Sequence, residues 1–250
     1  MSYVRAMRGL FRADALRVAR DRFLVGAAVY LFATGAAMRW VLPAVAAGVR
    51  RRWQVDLEPY FPLITSYFVI GLGAMAVGVV GGFILLELRE ERSIVALRVS
   101  PFPLRLYVAG FSLIIALVGA GVALAEAAII GLGLPPWNML PAIALVGGSG
   151  ASVVAMYLGA FPSNKVEAFA HMKFVSVVAA VPLGAYFLPG SWQYLACLAP
   201  PFWTMKAWWV AEAGGGSWPV WTVGGGLTTM GLVTFFSSRF QAAGSASSGS

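Results

Sequence analysis

Long apolar intervals without a charged residue are the feature that most constrains the fold of this chain. Between Glu58 and Glu87, for example, no Asp, Glu, Lys or Arg occurs. A helix needs roughly 20 apolar residues to cross about 30 Å of hydrocarbon, and within lipid a helix satisfies its own backbone hydrogen bonds. Six intervals are long enough and predict six transmembrane helices, called spans 1 to 6 here, at residues 23–42, 61–86, 106–133, 139–161, 168–189 and 218–236.

The composition places the whole chain in the same class. Hydrophobic residues make up 60% of the 250 residues and charged residues 11%, whereas soluble domains have about 45–50% and about 25%. The mean hydropathy is +0.80. We therefore expect an all-α polytopic membrane protein with one six-span domain over residues 23–240, preceded by an interfacial helix at residues 1–22 and followed by a flexible tail at residues 241–250.

The positions of the basic residues predict the orientation. With both termini in the cytoplasm, thirteen of the 18 Lys and Arg residues fall on the inner side and five on the outer side. Cytoplasmic loops are usually the more basic. Arg50, Arg51 and Arg52 lie in the outer loop in this arrangement and run against the rule locally.

The N-terminal segment carries Arg5, Arg8 and Arg12 at helical spacing opposite an apolar face. This pattern suits a helix lying in the membrane interface, with the arginines toward lipid phosphates. The alternative is a simple positively charged anchor.

The densest charge cluster lies between spans 2 and 3, at residues 87–101. Ile94, Leu97 and Pro101 form an apolar ridge beside charged neighbours, and Ser100-Pro101 ends the helical pattern. A short charged helix with such a ridge is typical of a docking element for a soluble partner, and a solvated connector is the alternative.

Between spans 5 and 6 an aromatic-rich apolar stretch is interrupted by Pro200-Pro201. Because a proline pair would kink a continuous helix, two half-helices dipping into the outer leaflet are expected. A plain belt of interfacial aromatic residues is the alternative.

Several kinds of chemistry are not expected. None of the three lysines follows a glycine, so no P-loop for ATP is present, and one histidine and one cysteine cannot form a metal cluster or a disulfide within the chain. We expect no catalytic residue, no metal site and no cofactor bound by this chain. Membrane topology explains the basic residues, so nucleic acid is not an expected partner.

Polar residues inside the spans are few. Glu126 is the one acid deep in a span, where an ionised carboxylate costs on the order of 3 kcal/mol. It is either a cavity residue that meets a cationic substrate or a structural carboxyl, with Arg39 as a possible partner. Tyr67, Phe68 and Met75 share a helical spacing in span 2 and either line an amphiphile path with Glu126 or pack in the core.

Small residues mark close helix contacts. Gly78 and Gly82 form a GxxxG pattern in span 2, and span 4 contains a small-residue patch of Gly147, Gly148, Gly150 and Ala151. Such residues let helix backbones approach closely. We expect packing within one protomer, with a dimer interface as the alternative.

The order of these motifs resembles that of the membrane subunits of type-2 ABC exporters, in particular the small permeases of the fluoroquinolone export type. The resemblance covers nearly the whole chain and rests on motifs in a fixed order: Arg20-Asp21 before span 1, Arg89-Glu90-Glu91-Arg92-Ser93 after span 2, Asn164-Lys165-Val166-Glu167 before span 5, and Pro200-Pro201-Phe202-Trp203 before span 6. One departure from the family pattern is Arg92, where such permeases often carry glycine.

The resemblance implies roles for these segments. The segment after span 2 would be a coupling helix seated on a separate ABC ATPase that binds ATP and Mg, through Arg89, Glu90, Glu91, Arg92, Ser93, Ile94, Leu97 and Pro101. A second cytoplasmic contact would involve Asn164, Lys165 and Glu167, and the outer half-helices would contain Pro200, Pro201, Trp203 and Lys206. Two chains, identical or homologous, would move a small amphiphile, drug or lipid out across the bacterial inner membrane.

Two other functions fit the same residues. A non-transporting scaffold or immunity-type protein would use the charged segment to bind another partner. An ion-coupled secondary carrier would use Glu126 and Arg39 and would need no ATPase.

Overall fold

A computed structural model describes residues 22–90 and 104–246 of the chain, which are helical with short connections and contain no β-strand. Within these two ranges, six helical stretches are long and apolar enough to cross a membrane: Val29–Trp53, Glu58–Glu90, Leu104–Ile130, Leu140–Ala160, Lys165–Tyr186 and Trp218–Ala242. They correspond in order to spans 1 to 6, so the predicted all-helical, six-span architecture is confirmed. The predicted interfacial helix at residues 1–22 lies almost entirely outside the described residues.

Two spans are longer than predicted. The first helix covers Arg22–Trp53 and passes through Pro43, beyond the expected end at residue 42. Arg50, Arg51 and Arg52 occupy its last turn, where basic side chains interact favourably with the helix dipole. The helix of span 6 covers Trp218–Ala246 and so includes part of the expected tail. Both helices continue past the apolar run from which the ends were predicted.

Span 2 contains a wide turn. It begins as an α-helix at Phe61–Ser66, becomes a π-helix over Tyr67–Ala74, and continues as an α-helix over Met75–Glu90. A β-carbon at Gly73 would overlap the carboxylate of Glu126, so the glycine allows span 3 to approach this turn. Such π-helical insertions are rare and often lie at functional sites.

Span 4 is the central helix of the bundle and packs against spans 2, 3 and 6 and against the segment between spans 5 and 6. Its contacts depend on small residues. A β-carbon at Gly78 would overlap the backbone carbonyl of Ala151, and one at Gly148 would overlap that of Ala116. The prediction of close packing within one protomer is therefore confirmed for Gly78 and Gly148, but not for Gly150, where a β-carbon would have no atom within 4 Å.

The connection between spans 5 and 6 is broken into a 3-10 helix at Gly190–Leu198 and an α-helix at Pro200–Glu212, here called the half-helix. Ala199 between them is extended, with φ −94° and ψ 114°, because a residue before proline avoids the helical region. Pro200 and Pro201 occupy the first turn of the half-helix, where a missing N–H leaves no helical hydrogen bond unmade.

The half-helix belongs to the core and not to an aromatic belt. Trp208 is fully buried, and its indole Nε1 donates to the carbonyl oxygen of Gly133 at 2.9 Å. Trp209 is also buried and donates to the hydroxyl of Ser66 at 2.8 Å. These bonds satisfy the only polar atom of each indole ring, so the half-helix is fixed to span 2 and to the connection that follows span 3.

Candidate functional site

The end of span 2 is hydrogen-bonded to the end of span 4 through Arg89. Arg89 donates from Nη1 to the carbonyl oxygens of Gly159 and Ala160 at 2.8 and 3.2 Å. The last carbonyl groups of a helix lack helical partners and carry partial negative charge, so a guanidinium stabilises this end. Arg89 therefore fixes the end of span 2, one residue before the last described residue of this helix, Glu90.

A second contact joins the same end of span 2 to the start of span 5. The Lys165 Nζ and Glu87 Oε1 atoms are 2.6 Å apart, and the two side chains are 50% and 39% exposed. An ion pair as exposed as this stabilises a fold by only about 0.2–1 kcal/mol. The ion pair mainly holds the start of span 5 beside the end of span 2. We call the contacts of Glu87 and Arg89 with residues 159–165 the junction.

The first turn of span 5 is held by its own side chains. The Asn164 side chain accepts from the backbone N–H of Glu167 at 2.9 Å. In return, Glu167 Oε2 accepts from the backbone N–H of Ser163 at 2.8 Å. This reciprocal capping satisfies groups that a helix start leaves open, so Asn164 and Glu167, two residues of the predicted second cytoplasmic contact, define where span 5 begins.

A line of polar groups leads from this cap into the bundle. The imidazole of His171 lies with Nε2 3.8 Å from Glu167 Oε1, and its Nδ1 is 2.7 Å from the hydroxyl of Tyr157 in span 4. The spacing of four between Glu167 and His171 is visible in the sequence. Tyr157 is not, because only the packing of spans 4 and 5 brings it to His171.

The predicted ATPase-coupling residues are only partly described. Arg89 anchors the junction, and Glu90 is exposed at the end of the helix. The remaining six lie outside the described residues and their role stays a prediction: Glu91, Arg92, Ser93, Ile94, Leu97 and Pro101.

Glu126 is buried in span 3 against the π-helical turn of span 2. It is 2% exposed, and within residues 22–90 and 104–246 its Oε2 atom has no hydrogen-bond partner. An unsatisfied buried polar atom costs about 1–3 kcal/mol. Arg39 does not relieve this cost, because its Nη1 atom instead donates to the carbonyl oxygen of Ile129 at 3.1 Å.

The four residues of the predicted amphiphile path do not share one cavity in the described part of the chain. Met75 lines a cavity of about 210 Å³ between spans 2, 4, 5 and 6. Tyr67 and Phe68 are half-buried and pack against the core around the half-helix, and Glu126 faces Gly73. Sequence spacing placed Tyr67 and Phe68 with Met75 on an α-helical face, but the π-helix over Tyr67–Ala74 changes that register.

The predicted half-helix residues tie the two halves of the broken segment together. The Trp203 Nε1 atom donates to the carbonyl oxygen of Cys197 at 2.9 Å. Lys206 Nζ donates to Gln193 Oε1 at 2.6 Å and lies 5.9 Å from the ring centroid of Trp221. Burial lowers the pKa of Lys206. Trp203 and Lys206 are thus structural links in this arrangement.

Comparison with known proteins gives one consistent result. The family described as "Fluoroquinolones export permease protein Rv2686c-like" matches residues 14–236. Two proteins of Mycobacterium tuberculosis are similar to the chain: the fluoroquinolones export permease proteins MT2760 of strain CDC 1551 / Oshkosh and Rv2686c of strain H37Rv. Each is 28% identical to the chain over 244 residues, and the match covers 95% of this chain and 95% of the relative. No solved structure matches the chain.

Proposed function

The chain belongs to the family of Rv2686c-like fluoroquinolones export permeases, and on that premise we propose that it is the membrane subunit of an exporter driven by a separate ABC ATPase. ATP and Mg would bind to that ATPase. A multi-pass membrane permease with six apolar helices needs such a partner to couple ATP hydrolysis to transport, since ATP can drive the permease only through contacts that differ between its states.

The junction is the observation that carries this proposal. Arg89 binds the end of span 4, and Glu87 binds Lys165 at the start of span 5. A force applied to residues 91–103 would therefore reach spans 2, 4 and 5 together instead of bending one helix. A solvated connector would not require the contacts of Glu87 and Arg89 at the end of span 2.

The substrate and assembly follow from the same premise. The relatives are named for fluoroquinolones, which are fused-ring aromatic amphiphiles, and we propose an amphiphile of this class as the substrate. Two chains, identical or homologous, would enclose the path at their shared interface. We place the chain in the bacterial inner membrane, and the excess of basic residues on one side favours an orientation with both termini in the cytoplasm.

The experiment is copurification of the tagged chain with a coexpressed ABC ATPase, followed by ATPase activity in lipid nanodiscs. The test variant reverses two charges beside the junction, Glu90→Lys with Glu91→Lys. The control makes the same change of net charge in the loop between spans 1 and 2, Asp56→Lys with Glu58→Lys.

We expect the amount of copurified ATPase to fall at least tenfold with the test variant and to stay unchanged with the control. Equal recovery with both variants would refute the assignment of the charged segment. Drug export by the chain in cells without any ABC ATPase would refute ATP-driven transport and favour the secondary carrier.

A further inference from the structure

The cavity next to Met75 opens toward the surrounding lipid. Span 5 packs mainly against the broken segment and span 2, whereas span 6 packs mainly against span 4 and the half-helix, and contacts between spans 5 and 6 are few at most. The cavity, of about 210 Å³, lies in the space between them. Two of its lining residues are largely exposed, Phe174 at 58% and Leu198 at 91%, so a molecule dissolved in the bilayer reaches the cavity sideways.

One wall of this cavity is aromatic. Tyr157, Phe174 and Phe236 all line it, and the ring centroid of Tyr157 lies 6.1 Å from that of Phe174 and 5.6 Å from that of Phe236. Aromatic rings at such distances offer faces and edges to a further ring, which adds a specific attraction to apolar burial.

The same wall includes one polar side chain, that of Tyr157. Tyr157 belongs to the cavity lining, and its hydroxyl shares a hydrogen bond of 2.7 Å with the imidazole of His171. His171 in turn lies near Glu167 at the start of span 5. Tyr157 is the lining residue with a polar side chain, so a polar substituent on an aromatic ligand would have to share its hydroxyl with His171, whereas an acyl chain would use only the apolar lining.

We propose that this cavity is a lipid-accessible binding site for the fused aromatic rings of an amphiphile, entered between spans 5 and 6. An apolar cavity of about 150 Å³ holds benzene, so the larger cavity has room for a two-ring system with its substituents at the open side. The inference rests on the proposed export function, because it assigns a site to that substrate class.

Gly150 allows a direct test. It lines the cavity, and a β-carbon placed there has no atom within 4 Å, so Gly150→Leu fills the cavity without displacing a neighbour at the point of attachment. Gly121 in span 3 is exposed, does not line the cavity and is equally open. Gly121→Leu is therefore the matched control.

A second pair protects the test against a folding defect. Val178 lines the cavity, and the adjacent Val177 is 66% exposed on the same helix. Val178→Phe fills the cavity from span 5, and Val177→Phe adds the same volume toward lipid. The measurement is the binding of norfloxacin to the full chain in nanodiscs, followed by its fluorescence anisotropy.

We expect Gly150→Leu and Val178→Phe to bind norfloxacin at least tenfold more weakly than the wild type does. The affinity of the two controls should differ from that of the wild type by less than twofold. Norfloxacin binding that survives both filling substitutions overturns the site. So does a competition in which added phospholipid displaces an acyl chain from the cavity but leaves norfloxacin bound. If Gly150→Leu and Val178→Phe bind norfloxacin normally, and cells that contain the chain and its partner ATPase still export norfloxacin, the site is wrong and the export function stands. If the filled variants lose binding but no ATPase associates, the site stands and the ATP-driven function is wrong.

Discussion

The close crossing of spans 3 and 4 gives a prediction whose size can be worked out. At Gly148 a β-carbon would overlap the carbonyl oxygen of Ala116 and lie 2.5 Å from the backbone nitrogen of Ala120. Both obstacles are backbone atoms of span 3, which cannot rotate away as a side chain does. Gly148→Ala must therefore push the two helices apart.

Two controls isolate this effect. At Gly121 in span 3 and at Gly150 in span 4, a β-carbon would have no atom within 4 Å. Replacing glycine by alanine in a helix is favourable by up to about 1 kcal/mol at all three positions, so this contribution cancels when the variants are compared. What is left is the cost of overpacking, about 1–3 kcal/mol.

The assay is thermal unfolding of the purified chain in detergent, followed by circular dichroism. For a chain of this size the difference in free energy of unfolding corresponds to a midpoint roughly 2–12 °C lower for Gly148→Ala than for either control. A Gly148→Ala variant as stable as Gly121→Ala and Gly150→Ala would refute the crossing, since the added methyl group would then have met open space.

Two further predictions concern the junction and the buried carboxyl. Lys165→Glu places two acids together and should lower the free energy of unfolding by roughly 1 kcal/mol, and adding Glu87→Lys should restore at least half of the loss. A double variant no more stable than the single one in detergent unfolding would contradict the ion pair. Gly73→Ala drives a methyl group into the carboxylate of Glu126 and should reduce the yield of folded chain after size-exclusion chromatography, whereas combining it with Glu126→Ala should recover that yield. No recovery would mean that some other neighbour limits the space at Gly73.

The resemblance in the sequence agrees with the family match over residues 14–236 and with the relatives. Helix ends were harder to predict, since an apolar run ends where lipid ends, whereas a helix continues as long as its backbone and last-turn charges favour it. Span 1 continues to Trp53 for this reason. The break at Pro200 and Pro201 was predictable because proline restricts its own residue and the one before it.

The contacts that form the junction were not predictable. Lys165 and Glu87 are 78 positions apart in the sequence, and Arg89 reaches Gly159 across 70. No periodicity links such residues, because their meeting depends on which faces of spans 2, 4 and 5 pack together. The pairing of Tyr157 with His171 has the same origin.

By itself the sequence determined the solvent of this protein, the number of its spans and the positions of its small residues and chain breaks. These are local properties, fixed by the cost of exposing charge and backbone to lipid within one segment. Only the tertiary structure decided that Gly78 and Gly148 pack inside one chain, that Glu126 lies against Gly73, and that spans 5 and 6 leave a cavity between them. Those outcomes depend on how side chains from distant segments fill a shared volume, which no single segment specifies.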